Sequence, residues 1–156
     1  MFEQSINNKK EEMIDSLCKI IEYPSISQLS GEEGMPFGQA CKDVLEYMLS
    51  LGKSLGFRTK NIDGYCGYIE FGEGEELIGI LGHLDVVPAD DTWAYAPFSP
   101  VVEDGKIYGR GAIDDKGPII SSLYAMKAVM DTMQVKKRIR LILGLDEEKN
   151  WKCMEY

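Results

Sequence analysis

His83 is the only histidine in the chain, and it stands two residues before a carboxylate in Gly82-His83-Leu84-Asp85-Val86-Val87-Pro88. In extended backbone the side chains of such a pair point to one side, with Cα atoms about 6.5–7 Å apart. That placement suits an imidazole that binds metal beside a carboxylate that orients its ring. A lone histidine beside an apolar strand is more often a hydrogen-bonded structural residue. The buried-type run just before His83 and the carboxylate just after it favour the ligand. A second segment, Tyr108-Gly109-Arg110-Gly111-Ala112-Ile113-Asp114-Asp115-Lys116-Gly117-Pro118, brings two adjacent aspartates to the start of a helix. Simple N-capping would need one aspartate, not two. A third, Asp146-Glu147-Glu148, closes an apolar strand. Three acids there repel one another unless a cation sits among them, although an exposed acidic turn is the plainer explanation of that segment alone.

Taken jointly, one histidine and several carboxylates fall at three strand or loop ends, where α/β sheets gather their ligands. Nitrogen and oxygen donors without cysteine suit zinc, manganese or cobalt in a hydrolase. The Gly-x-Gly at Gly109 and Gly111 is no dinucleotide fingerprint, because it lacks the third glycine and the strand-to-helix setting. Cys18, Cys41, Cys66 and Cys153 are widely spaced and form no C-x-x-C pair. They read as buried or half-buried free thiols.

The elements that must position these residues follow from periodicity. Residues 9–23 and 38–55 read as amphipathic helices, the first ended by Pro24 and the second capped by Gly56. Residues 25–37 read as a loop. Strands are predicted over 57–62, 65–71 and 77–81, with a hairpin turn at Asp63-Gly64. The continuous run Leu77-Ile78-Gly79-Ile80-Leu81 predicts an interior strand covered on both faces. A loop over 88–100 leads to a short hairpin around Asp104-Gly105. A helix over 117–133, with Pro118 in its first turn, precedes an inner strand over 139–143. Helices before, between and after strands predict one α/β domain over residues 1–156, a mixed sheet flanked by helices.

With 156 residues the chain can bury a real core. Its 17 basic and 26 acidic residues give a net charge of −9, which argues against nucleic acid or an anionic membrane as a partner. No apolar run approaches the roughly 20 residues needed to span a bilayer. The N-terminal sequence lacks the features of a signal peptide, so the expected location is the cytoplasm.

The three blocks GHLDVVP, GRGAIDDKGP and DEE resemble the signatures of the M20 metallopeptidases. The stretches PFGQACKDVLEYML, KNIDGYCGYIEFGEGEELIGILGHLDVVPA, APFSPVVEDGKIYGRGAIDDKGP and LDEEKNWKCMEY resemble the PepV-like, carnosinase-type Xaa-His dipeptidase branch of that family. The resemblance covers nearly all of this chain and about a third of a typical member. It implies a partial zinc-peptidase catalytic domain without the inserted lid and dimerisation domain. It also implies two zinc ions per complete site. His83 would ligate the first and Glu148 the second, Asp114 would bridge them, Asp85 would orient His83 and polarise the site as a catalytic aspartate, and Glu147 would act as general base. The Asp114-Asp115 bond is typically cis in such enzymes.

The same resemblance implies a further carboxylate ligand and a distal histidine that this sequence does not contain. The chain alone is therefore expected to be incomplete and inactive, and to hydrolyse small peptides only as part of a longer enzyme. Lys149-Asn150 departs from the small hydroxyl residue and glycine usual in relatives. Asparagine is tolerable there because it enters the left-handed region at modest cost. Two other readings stay open. One is deacylase or desuccinylase chemistry on the same blocks. The other is a non-catalytic α/β domain that self-associates or pairs with a separate C-terminal part.

Overall fold

A computed structural model describes residues 2–156. The first helix predicted from sequence is preceded by a short one: α1 (Phe2–Asn7) and α2 (Lys10–Ile21) meet at a turn through residues 8 and 9. The helix α3 (Gln39–Ser54) leads into strands β1 (Arg58–Ile62), β2 (Cys66–Phe71) and β3 (Leu77–His83). A short hairpin, β4 (Val101–Glu103) and β5 (Lys106–Tyr108), precedes helix α4 (Lys116–Thr132). Strand β6 (Arg138–Gly144) and a 3₁₀ helix (Lys152–Glu155) complete the order. The predicted hairpin turns form as expected: Asp63 and Gly64 have φ of 50° and 76°, and Asp104 and Gly105 have φ of 50° and 72°. Paired positive φ is the twist that joins two strands in so short a turn. Among the described residues no helix is long and apolar enough to cross a membrane.

The main sheet is mixed, in the order β1-β2-β6-β3. β1 and β2 pair antiparallel, as do β2 and β6, whereas β3 runs parallel to β6 with His83 opposite Gly144. One face is covered by helices. A Cβ at Gly67 would lie 2.9 Å from Leu45 of α3, and one at Gly82 would lie 2.9 Å from Ile119 of α4. Between sheet and helices sit Val44, Leu45, Met48, Ile69, Leu123 and Leu141, all fully buried. Ser16 of α2 and Tyr124 of α4 share a buried hydrogen bond of 2.8 Å that ties these helices together.

The interior strand expected at β3 is instead an edge strand. Among the described residues its only sheet neighbour is β6, and Leu77, Ile78 and Leu81 are 43–47% exposed. The apolar run reflects a strand suited to burial on both faces, but among the described residues nothing packs along its outer edge. β6, expected as an inner strand, does lie between β2 and β3.

Candidate metal centre

The parallel pairing of β3 with β6 brings their carboxyl ends together, so the segment after His83 and the segment after Gly144 emerge side by side. Leu84 N–H donates to Gly144 O at 2.9 Å and extends that pairing by one residue. His83, the last residue of β3, lies within the strand rather than past it. α4 starts at Lys116 beneath the same ends. Gly82 permits this approach, since a Cβ there would lie 2.5 Å from Asp115 Oδ2. His83 N–H donates to that carboxylate at 3.1 Å. The Asp114-Asp115 peptide bond is cis, the geometry that the resemblance implies.

Four of the five expected site residues converge on the fifth, the imidazole of His83. Its Nδ1 lies 3.0 Å from Asp85 O, an acceptor, which places a proton on Nδ1. Nδ1 is also 3.4 Å from Asp85 Oδ1. Nε2 lies 3.1 Å from Asp114 Oδ1 and 3.6 Å from Glu147 Oε2. Donor atoms of His83, Glu147 and Glu148 all fall within 4.8 Å of one another. That set of nitrogen and carboxylate oxygen fits a divalent cation such as zinc. Asp114 belongs to this surround through His83, but it is largely exposed and stands outside the three-residue group.

Asp85 is fully buried, and its carboxylate does more than face the histidine. Its Oδ1 accepts from Glu147 N–H at 3.1 Å, and its Oδ2 accepts from Glu148 N–H at 3.0 Å. One side chain thus fixes the histidine and the glutamate pair in a single frame. Asp146 parts company with its acidic neighbours. It is fully buried, takes a hydrogen bond from Ser27 Oγ at 2.8 Å on Oδ1 and one from Lys152 N–H at 3.2 Å on Oδ2. The crowd of acids at the strand end is therefore two glutamates, not three residues. Asn150 is not left-handed; the positive φ falls on Trp151, at 54°. Lys149 is exposed.

The electrostatics match a cluster short of positive charge. Burial pushes the Glu148 carboxyl up, and the charge of Asp114 adds to that, while His83 opposes it. Burial likewise raises Asp115, helped by Asp114 and opposed by His83. Burial would lower His83, but the hydrogen bond and charge of Asp85, with Glu147 behind them, outweigh it and raise the imidazole to about 9. The raised imidazole and the raised carboxyls mark an excess of negative charge that a metal cation would offset. A cleft of about 250 Å³ opens beside it, lined by Leu81, His83, Asp115, Glu147, Trp151 and Met154.

Sequence reasoning missed Ser25, Ser27 and Lys116, which are all fully buried around this site. A serine pair in a loop carries no periodic signal, and a lysine at a helix start ordinarily reads as surface.

The chain is an α/β layer with a histidine–carboxylate cluster, a candidate metal centre, at the carboxyl ends of two parallel strands. Residues 79–154 match the family model described as peptidase family M20/M25/M40. It is 43% identical over 157 residues to the "Putative dipeptidase YtjP" of Bacillus subtilis (strain 168), aligning 99% of this chain with 34% of that protein. The fold is similar to human carnosine dipeptidase 1, with TM-score 0.80 and 26% identity over 99% of this chain and 37% of that one. It is also similar to the M20 family metallo-carboxypeptidase Sso-CP2 from Sulfolobus solfataricus, with TM-score 0.72 and 27% identity over 88% of this chain and 31% of that one. The chain thus spans about a third of the length of the relatives it matches.

Proposed function

We propose that this chain carries part of a divalent-metal site that hydrolyses small peptides, dipeptides foremost, in an enzyme of the relatives' full length. The carrying observation is the meeting of His83, Glu147 and Glu148 donor atoms within 4.8 Å. Zinc is the preferred occupant, with manganese or cobalt as substitutes, and two ions make up the complete site. Bound there, the metal would supply Lewis acidity that activates water and polarises the peptide carbonyl. His83 offers Nε2 as a ligand, with its ring held by Asp85. Glu148 would offer a carboxylate, and Asp114, whose Oδ1 lies 3.1 Å from Nε2, would serve as a ligand shared by two cations. Glu147 takes the proton from the attacking water and returns it to the leaving amine. A preference for Xaa-His dipeptides is the finer expectation, supported by the likeness to human carnosine dipeptidase 1.

Calorimetric zinc titration tests the metal roles. Asp114→Ala is expected to weaken binding more than Asp85→Ala, because a bridging ligand serves two cations, and equal losses would count against the bridge. Glu147→Gln in a full-length relative should keep the metal content and abolish dipeptide turnover. Loss of metal would instead make Glu147 a ligand.

A further inference from the structure

The segment Tyr23–Ser27, turned by hydrogen bonds of 2.8 Å from Ser25 N–H to Tyr23 O and from Ile26 N–H to Pro24 O, reaches all three segments that form the metal centre. Ser25 Oγ donates to Leu84 O at 2.6 Å, and Ser25 O accepts from Val86 N–H at 3.0 Å, so Asp85 is gripped on both sides. Ser27 Oγ donates to Asp146 Oδ1 at 2.8 Å, one residue before Glu147. Lys116 Nζ, two residues past Asp114, donates to Tyr23 O at 2.7 Å. Ser25, Ser27 and Lys116 are at most 1% exposed, and none belongs to the donor cluster.

Burying a hydroxyl or an ammonium is costly unless a partner meets it. Here each has one, and the three bonds tie Tyr23–Ser27 to the segment after β3, the segment after β6 and the start of α4. Apolar side chains could fill the same volume, but they would leave the segments free to slide, because dispersion has no direction. Hydrogen bonds in a dry interior do have direction, and a fully satisfied set fixes a unique arrangement. The bonds at Ser25, Ser27 and Lys116 act on the segments of Asp85, Glu147 and Asp114 respectively.

We propose that Tyr23–Ser27 is the positioning strut of the metal centre, with Ser25, Ser27 and Lys116 as positioning residues that set the spacing of the three segments. This rests on the metal reading above, and the test separates the two. Ser25→Ala, Ser27→Ala and Lys116→Met are made in the 156-residue chain, with Ser16→Ala as control because its buried bond to Tyr124 lies between α2 and α4. Residue-resolved hydrogen exchange on the metal-free protein should quicken at Leu84–Val86, at Glu147 and Glu148, and at Asp114–Gly117 respectively. The zinc dissociation constant should rise about tenfold in each, the lower end for residues behind a ligand shell. Ser16→Ala should lower the melting temperature but move neither readout. If an alanine variant does not fold, Ser27→Cys keeps the volume, weakens the bond and should give an intermediate result. Exchange and affinity within twofold of the native chain, or equal changes in the control, would overturn the proposal. Absence of zinc binding by both the native chain and a full-length relative would sink the metal reading, while the exchange result would still decide the strut.

Discussion

On the helix-covered face of the sheet, Ile69, Leu141 and Leu143 are fully buried, whereas on the opposite face Leu77 and Leu81 of β3 stand 43% and 47% exposed. The same four strands build both faces. The covered face is apolar and sealed by α3 and α4. The open face is mixed: Arg140 lies 3.9 Å over the Tyr68 ring and donates to Glu70 at 2.7 Å, and Arg58 donates to the other Glu70 oxygen at 3.2 Å. Glu70 is only 6% exposed there, buried by its two arginines rather than by a helix. The difference teaches that apolar composition reports how a strand can be buried, not whether a neighbour arrives to bury it.

The largest effect should come from cutting the covered face. Ile69→Ala removes a side chain packed against Gly52 of α3 and should cost about 3 kcal/mol in chemical denaturation. Leu81→Ala, on the open face, should cost less than about 1 kcal/mol, since much of the side chain already meets solvent. Near-equal losses would mean that the open face is covered in solution, and the contrast would collapse.

A smaller effect should expose how the open face tolerates its carboxylate. Burial alone would raise Glu70, but hydrogen bonds from Arg140 and Arg58 more than offset it and hold the carboxyl below its ordinary value. A depressed carboxyl stabilises the fold above its unfolded value, near pH 4.3. That contribution fades as pH falls through the lower, folded value. Glu70→Gln should therefore cost about 2 kcal/mol at pH 7. The gap to the native chain should close as pH drops below 4. A gap constant from pH 7 to pH 3 would show that the arginines hold Glu70 by shape and not by charge.

Most of the architecture was legible because each element has a local cause. Alternation and turn chemistry marked the strands around Asp63-Gly64, and apolar spacing marked α2, α3 and α4. The mixed sheet flanked by helices follows from that order. The place of β3 was not legible, since Leu77–Leu81 carries no signal of what lies beside it. His83, Asp85, Asp114, Glu147 and Glu148 could be singled out because their types are costly at strand ends without a purpose. Their meeting depends on the parallel register of β3 and β6, a long-range fact. Asp146 was grouped with Glu147 and Glu148 by adjacency, and only the fold separates it by turning it toward Ser27. The strut was invisible for the same reason: Ser25 and Ser27 find their partners 59 and 119 residues away.

The smallest effect belongs to the outer end of β3. Leu77 is 43% exposed and pairs with Arg138 in the parallel register. Leu77→Glu would forfeit a partly solvated apolar contact and set a carboxylate opposite a guanidinium. Cross-strand pairs of opposite charge contribute roughly 0.2–1 kcal/mol, which offsets most of the loss. The net change in unfolding free energy should stay within about 0.5 kcal/mol, as for other surface positions. A charge on a free edge also discourages pairing with a second strand. Sedimentation at rising protein concentration should then show no more association than in the native chain. A loss above about 2 kcal/mol would place Leu77 in a buried environment. That result would make β3 the interior strand its composition describes, with its cover supplied from outside the described residues.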